Sequence, residues 1–92
     1  MLELSDTART AITTLTGGRG GGLRIALADA GAQRRFRLSL EPAPAPGEDV
    51  VTADDGAEVY LERGAADYAA DKVLTARQDS GGEFRFALHP QA

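Results

Sequence analysis

The sequence predicts an α+β domain with about six or seven short, mostly antiparallel strands packed as a small β-sandwich-like core, with one N-terminal helix and one short second helix. Three observations predict this class. Apolar residues recur once with helical spacing near the N-terminus, and elsewhere they alternate with polar residues. Glycine and proline clusters separate the alternating segments. The chain has 92 residues, which is room for one domain spanning residues 1–92.

The N-terminal part predicts a short strand followed by one helix of about 11 residues. Leu2 and Leu4 alternate with a glutamate, which is typical of a strand. Ser5 or Asp6 then provides an N-cap, because a side-chain oxygen there accepts a hydrogen bond from a free backbone N–H. The apolar face of the helix consists of Ala8, Ala11, Ile12 and Leu15. The glycine-rich run 17–22 should cap the helix at Gly17 and then form a flexible linker.

A hairpin and a stiff connector are predicted next. Two alternating segments carry the apolar residues Leu23, Ile25 and Leu27 in one and Phe36, Leu38 and Leu40 in the other. Residues 29–33 between them are typical of a turn, so we expect a hairpin with a relatively long loop. Three prolines within residues 42–46 predict a stiff connector, because proline cannot donate a ladder hydrogen bond.

The C-terminal half predicts the remaining strands and the second helix. A strand is predicted at Val50 and Val51, followed by a turn at Asp54-Asp55-Gly56 and a strand with Ala57, Val59 and Leu61. A helix is predicted between Gly64 and Ala70, and the next strand begins with either Val73 and Thr75 or Leu74 and Ala76. After a turn at 79–82, the last strand contains Phe84, Phe86 and Leu88 and ends at Pro90. The two periodicities predict one buried cluster containing Ile12, Leu15, Phe36, Leu38, Phe84 and Phe86.

Composition excludes several classes of function. The chain has no cysteine, which excludes disulfides, thiolate metal sites and cysteine nucleophiles. A net charge of -4 and only five aromatic residues disfavour nucleic-acid binding. No apolar run is long enough to span a membrane, and the N-terminus does not have the pattern of a secretory signal. We therefore expect a cytoplasmic protein without membrane or nucleic-acid partners.

Catalytic and metal sites are not predicted either. His89 is the sole histidine, and we interpret it as an exposed side chain without a catalytic partner. The glycine-rich run follows a helix and precedes a strand, the reverse of the order in a phosphate-binding loop. The acidic residues at 48–49 and 54–55 lack a calcium-loop spacing and are interpreted as a solvated face, although a metal site made of carboxylates and His89 remains an alternative. The sequence thus predicts no enzyme and no cofactor.

Three arginines form the main candidate binding site. The first 41 residues have a net charge of +2 and the rest of the chain -6, and the positive charge is concentrated at Arg34, Arg35 and Arg37. Strand alternation places Arg35 and Arg37 on one face. They predict a docking patch for an acidic protein partner, and alternatively a site for a small anion or metabolite. An ordinary exposed strand face, paired with acidic neighbours such as Glu41, is the competing interpretation.

The order of the segments resembles the HesB/IscA-like proteins, also called A-type iron–sulfur carriers. The resemblance covers nearly the whole chain. It rests on the opening residues 2–8, Gly22-Leu23-Arg24-Ile25, the stretch 44–51, the strand 54–61, Asp71-Lys72-Val73, the segment 82–86 and Pro90. It implies the family's fold, with the strand and helix order predicted above.

The family's cluster ligands are missing from this sequence. The resemblance implies one ligand cysteine in a Gly-Cys-Ser-Gly segment, where this chain has Gly31-Ala32-Gln33-Arg34, so that Ala32 occupies its place. It implies two more in a Cys-Gly-Cys near the C-terminus, and no such motif is present. We therefore expect a degenerate member that does not bind a cluster and acts as an interaction or adaptor protein, still linked to iron–sulfur or metal biology through an unidentified protein partner. The sequence leaves open whether the domain forms a homo-oligomer.

Overall fold

The computed structural model describes residues 1–17, 19–30, 33–53 and 55–91, without the side chains of residues 28–30 and 33–35. Within them the chain forms β1 (Glu3–Leu4), α1 (Asp6–Thr16), β2 (Gly22–Ala30), β3 (Gln33–Glu41), β4 (Asp49–Thr52), β5 (Glu58–Leu61), α2 (Arg63–Ala69), β6 (Lys72–Gln78) and β7 (Phe84–Pro90). The α+β class, the two helices and the number of strands are confirmed.

The strands form two sheets. One has three strands in the order β1-β6-β7, and the other has four in the order β3-β2-β5-β4. The pairs β1–β6 and β2–β5 are parallel, while β2–β3, β4–β5 and β6–β7 are antiparallel. In the first of these pairs Glu3 lies opposite Val73, so the beginning of the described chain is joined to its last third. Strands β3 and β7 are each at the edge of their sheet.

Helix α1 is capped at both ends as the sequence predicts. The Ser5 side chain accepts a hydrogen bond from the backbone N–H of Ala8 at 3.1 Å, which satisfies one free donor of the first turn. Gly17 ends the helix in the left-handed conformation with φ 63°, which a glycine adopts without strain. The Thr7 hydroxyl accepts from the N–H of Ala76 at 3.2 Å and thereby ties the helix to β6.

The core draws on both sheets and both helices. The largest fully buried side chains are Tyr60, Ile12, Ile25, Leu74 and Val59. Both Leu74 and Ala76 are buried, which settles the open choice of inward residues on β6. Phe36, Phe86 and Leu88 are partly buried and pack against this core.

The prediction that Leu15 and Leu38 are buried is wrong. Each is 40% exposed. The buried face of α1 ends at Ile12, and Leu15 lies one turn further, in the last turn of the helix. Leu38 lies on β3, which has a strand on one side only, so its apolar face is covered from β2 but not from the opposite direction.

Two segments predicted as loops contribute residues to strands. The ladder between β2 and β3 continues to the pair Ala30 and Gln33, so the strands extend into the predicted turn 29–33, of which residues 31 and 32 lie outside the described residues. The glycine run is not simply a flexible linker, since Gly22 begins β2 opposite Glu41. A Cβ atom on Gly22 would lie 2.4 Å from the backbone oxygen of Glu58, so the close approach of β5 requires glycine here. No helix in the described part of the chain is long and apolar enough to cross a membrane.

Candidate interaction surface on β3

The three arginines of the candidate site all lie on β3. Arg34 and Arg35 pair through the backbone with Asp29 and Ala28 of β2, and their side chains are outside the described atoms. Arg37 pairs with Ala26 and is exposed. Because alternate residues of a strand share a face, residues 35 and 37 lie on the same side of the sheet. We call this side the outer face; the opposite, inner face carries Leu23 and Ile25 of the core cluster.

The inner face of β3 borders an apolar groove between the two sheets. Phe36 and Leu38 form its wall on β3, and Phe86 and Leu88 of β7 form the facing wall. Its volume is about 190 Å³. The ring of Phe36 lies 5.1 Å from that of Tyr68, at an angle of 38°, which supports one end of the groove. Leu40, two residues beyond Leu38, is 45% exposed and extends the apolar surface along the strand.

The proline-rich connector crosses the outer face of the four-stranded sheet. We call residues 42–48 the strap. It leaves β3 at Glu41, opposite the start of β2, and it enters β4 at Asp49, opposite Leu61 at the far end of β5. Since β2 and β5 lie between β3 and β4, the strap must pass over them. It does so on the outer face, because Glu48 contacts Arg24, whose neighbours Leu23 and Ile25 point into the core.

An ion pair fastens the strap to the sheet. Glu48 accepts a hydrogen bond from Nε of Arg24 at 2.5 Å and one from the backbone N–H of Ala45 at 2.6 Å. Its side chain is only 5% exposed. Arg24 also lies 3.6 Å from a carboxylate oxygen of Glu62. The strap and the residue that joins β5 to α2 are therefore held by the same guanidinium group.

The two partners of this ion pair have shifted pKa values. The N–H of Ala45, followed by the Arg24 guanidinium, lowers the pKa of Glu48 although burial opposes it. The hydrogen bond to Glu48 and its charge raise the pKa of Arg24. Both shifts favour the charged pair, so the folded state stabilises the ionised form of Glu48.

The other candidate residues do not form a site within the described structure. His89 is exposed on β7, with Nε2 3.1 Å from the Thr75 hydroxyl. The Asp55 carboxylate accepts a hydrogen bond from the backbone N–H of Ala57 and thereby stabilises the turn that contains both residues. The described residues contain no group of three His, Cys, Asp or Glu side chains that could hold a metal ion. Ala32 and Asp54 lie outside the described residues.

Sequence reasoning missed the groove and the ion pair. Alternation marks Arg24 as a polar residue on the outer face, but its partner Glu48 is 24 positions away along the chain. The only sequence signal for the strap is the run of prolines, which indicates stiffness and not direction. The groove depends on which strands are edges, and alternation within a strand does not reveal that.

Comparison with known proteins gives the fold. No family model matches the sequence, and no curated protein matches it significantly. The solved structure of IscA with the [2Fe-2S] cluster is 24% identical, with a TM-score of 0.77, over 98% of this chain and 85% of that one. Escherichia coli SufA, described as involved in biosynthesis of iron–sulfur clusters, is 18% identical, with a TM-score of 0.81, over 97% of this chain and 79% of that one. The chain therefore has the HesB/IscA-like fold of the A-type iron–sulfur carriers.

Proposed function

We propose that this protein is a non-catalytic adaptor on an A-type carrier fold that has lost direct binding of an iron–sulfur cluster. The observation that carries the proposal is the combination of that fold with a sequence of 92 residues that contains no cysteine. Clusters of this kind are held mainly by cysteine thiolates. The protein would act in the cytoplasm and retain a link to iron–sulfur or metal biology through a protein partner.

Reconstitution tests the loss of cluster binding. The purified chain is incubated with iron and sulfide under anaerobic conditions and desalted, beside a cysteine-containing A-type carrier treated in the same way. We expect the carrier to become coloured and this protein to remain colourless, with iron and sulfide at background. Retained visible absorbance with stoichiometric iron and sulfide would show that other side chains hold a cluster and would overturn the proposal.

We also propose that the partner docks on β3 through Arg34, Arg35 and Arg37, of which residues 35 and 37 share the outer face. Arg37 is exposed there, and the planar guanidinium group pairs with carboxylates in two-point geometry. The charge distribution along the sequence supports an acidic partner, because residues 1–41, which include the three arginines, have a net charge of +2 and the rest of the chain has -6. Such an association should weaken with added salt.

A comparison of two triple variants tests the docking. R34A/R35A/R37A removes the patch, and the control R19A/R63A/R77A removes the same charge from exposed positions elsewhere. We expect a native partner to bind the parent and the control and to be released from both by salt. The patch variant should not bind this partner. Equal capture by all three proteins would reduce the patch to a solvated strand face. Unfolding of the patch variant alone would assign the arginines a structural role.

A further inference from the structure

A cavity lies between the strap and helix α2, on the outer face of the four-stranded sheet. Its volume is about 640 Å³, which is within the range of about 300–1,000 Å³ typical of small-molecule sites. Ala45, Pro46 and Gly47 of the strap border it, as does Ala66 of α2, and Arg24 reaches it from β2. The other side chains at its border all carry charge, so the cavity suits a small charged ligand.

The strap has a defined shape beside this cavity. The backbone N–H of Glu48 donates to the carbonyl of Ala45 at 3.1 Å, and Gly47 has a φ of 84°. Proline followed by glycine, here Pro46 and Gly47, is typical of a type II turn, in which the glycine position has a positive φ. The Glu48 carboxylate fastens the same turn to Arg24. The wall of the cavity is therefore in place before a ligand arrives, which reduces the cost of ordering it on binding.

Two guanidinium groups at the cavity have hydrogen-bond donors to offer. Arg24 donates from Nε to Glu48, but its Nη2 lies 3.6 Å from Glu62, which is too far for a hydrogen bond. Arg63, at the start of α2, is exposed and forms no ion pair with another described residue. Guanidinium groups bind carboxylates through charge-assisted hydrogen bonds. This part of the border therefore suits the carboxylate of a ligand.

The rest of the border is acidic. Asp67 lies four positions after Arg63 on α2, so both residues are on one side of the helix, yet no ion pair joins them in the described structure. Since Arg24 and Glu48 neutralise each other, one positive group, Arg63, remains against three carboxylates, those of Asp49, Glu62 and Asp67. A ligand that matches this border has one carboxylate and more than one cationic group.

We propose that the cavity beneath the strap binds a basic amino acid, a small molecule with one carboxylate and two cationic groups. Its carboxylate binds Arg63 and Nη2 of Arg24. Its cationic groups lie against the carboxylates of Asp67, Glu62 and Asp49. The site does not use the arginines of β3, and the inference does not depend on whether the protein binds a cluster.

Three related compounds test the class of ligand. L-lysine has all three charged groups, cadaverine is the same molecule without the carboxylate, and L-norleucine has a methyl group in place of the side-chain ammonium. Each is titrated into the protein at low salt and followed by the backbone amide signals in NMR. We expect lysine to shift the signals of residues 45–48 and 63–67, and the other two compounds to bind at least about tenfold more weakly, because each lacks a charged hydrogen-bonding group. Lysine that shifts no signals there, or cadaverine or norleucine that binds as tightly as lysine, would refute the proposal.

Single substitutions test the two ends of the site. R63A should weaken lysine binding by about tenfold without weakening the binding of cadaverine, whereas D67N should weaken both. The controls are R77A and E83Q, which remove the same charges from exposed positions that do not border the cavity. All four positions are exposed, so the thermal midpoints should stay close to that of the parent. If R77A weakened lysine binding as much as R63A does, the effect would come from overall charge, and the assigned carboxylate site would be wrong.

Discussion

Replacing Gly22 with alanine should destabilise the protein strongly, and the structure gives the reason. The added Cβ would lie 2.4 Å from the backbone oxygen of Glu58 and 2.9 Å from its carbonyl carbon, whereas real Cβ atoms essentially never approach within 3.0 Å. Both contacts are with main-chain atoms at the start of β5, so no side chain can rotate away. Strands β2 and β5 would have to separate where they pair in parallel, at Leu23 and Val59.

Overpacking of this kind typically lowers the free energy of unfolding by about 1–3 kcal/mol. In a domain of this size each kcal/mol corresponds to about 4–8 °C in the thermal midpoint. Because small domains are stabilised by only about 5–15 kcal/mol, the change should be evident in urea unfolding followed by circular dichroism. The slope of the transition should stay the same, since the surface exposed on unfolding hardly changes.

The matched control is the same chemical change at Gly64. A Cβ there would lie 3.4 Å from the Leu27 side chain, an ordinary contact, and Gly64 is within α2. Since alanine is a better helix former than glycine by about 1 kcal/mol, G64A should raise the urea midpoint. A G22A variant as stable as the parent would refute the close approach of β2 and β5.

Three further predictions concern the strap, the core and the helix attachment. The pKa of Glu48 is lowered in the folded state, so its stabilisation is complete above the ordinary carboxyl pKa and is lost as the pH falls through the lowered value. The thermal midpoint of the parent should therefore decrease when the pH is taken below the ordinary carboxyl pKa, and the midpoint of E48Q should decrease less over the same range. L74A should lower the free energy of unfolding by about 2–5 kcal/mol because Leu74 is 1% exposed, and L15A should change it by no more than about 0.5 kcal/mol, both measured by urea unfolding. T7A should cost about 1 kcal/mol in the same assay because it removes the acceptor for the N–H of Ala76, and T7S should retain most of the stability.

Local patterns predicted the elements of this fold well. Alternation located the strands because one face of each is covered, and Ser5 and Gly17 marked the ends of α1 through their capping geometry. These signals depend on residues close together in the sequence. The HesB/IscA-like resemblance added the assembly of the elements, which single segments do not encode.

The errors arose where the environment of a residue depends on distant segments. Leu38 has the same alternation as Ile25, its partner on β2, yet Ile25 is fully buried and Leu38 is not. The difference is that β2 has neighbours on both sides and β3 on one only. The docking patch at Arg34, Arg35 and Arg37 remains a prediction, because the sequence places these residues on one strand but does not show what they meet.

The pairing of β1 with β6 also constrains when the domain can be completed during translation. Glu3 leaves the ribosome long before Val73, its partner, has been synthesised. Residues 22–61 contain all four strands of the larger sheet, so the pairing of that sheet needs no strand from outside this segment. Closing the long loop between β1 and β6 carries a larger entropic cost and should follow later. In a nascent chain arrested before β6, β1 therefore lacks its partner strand in the smaller sheet.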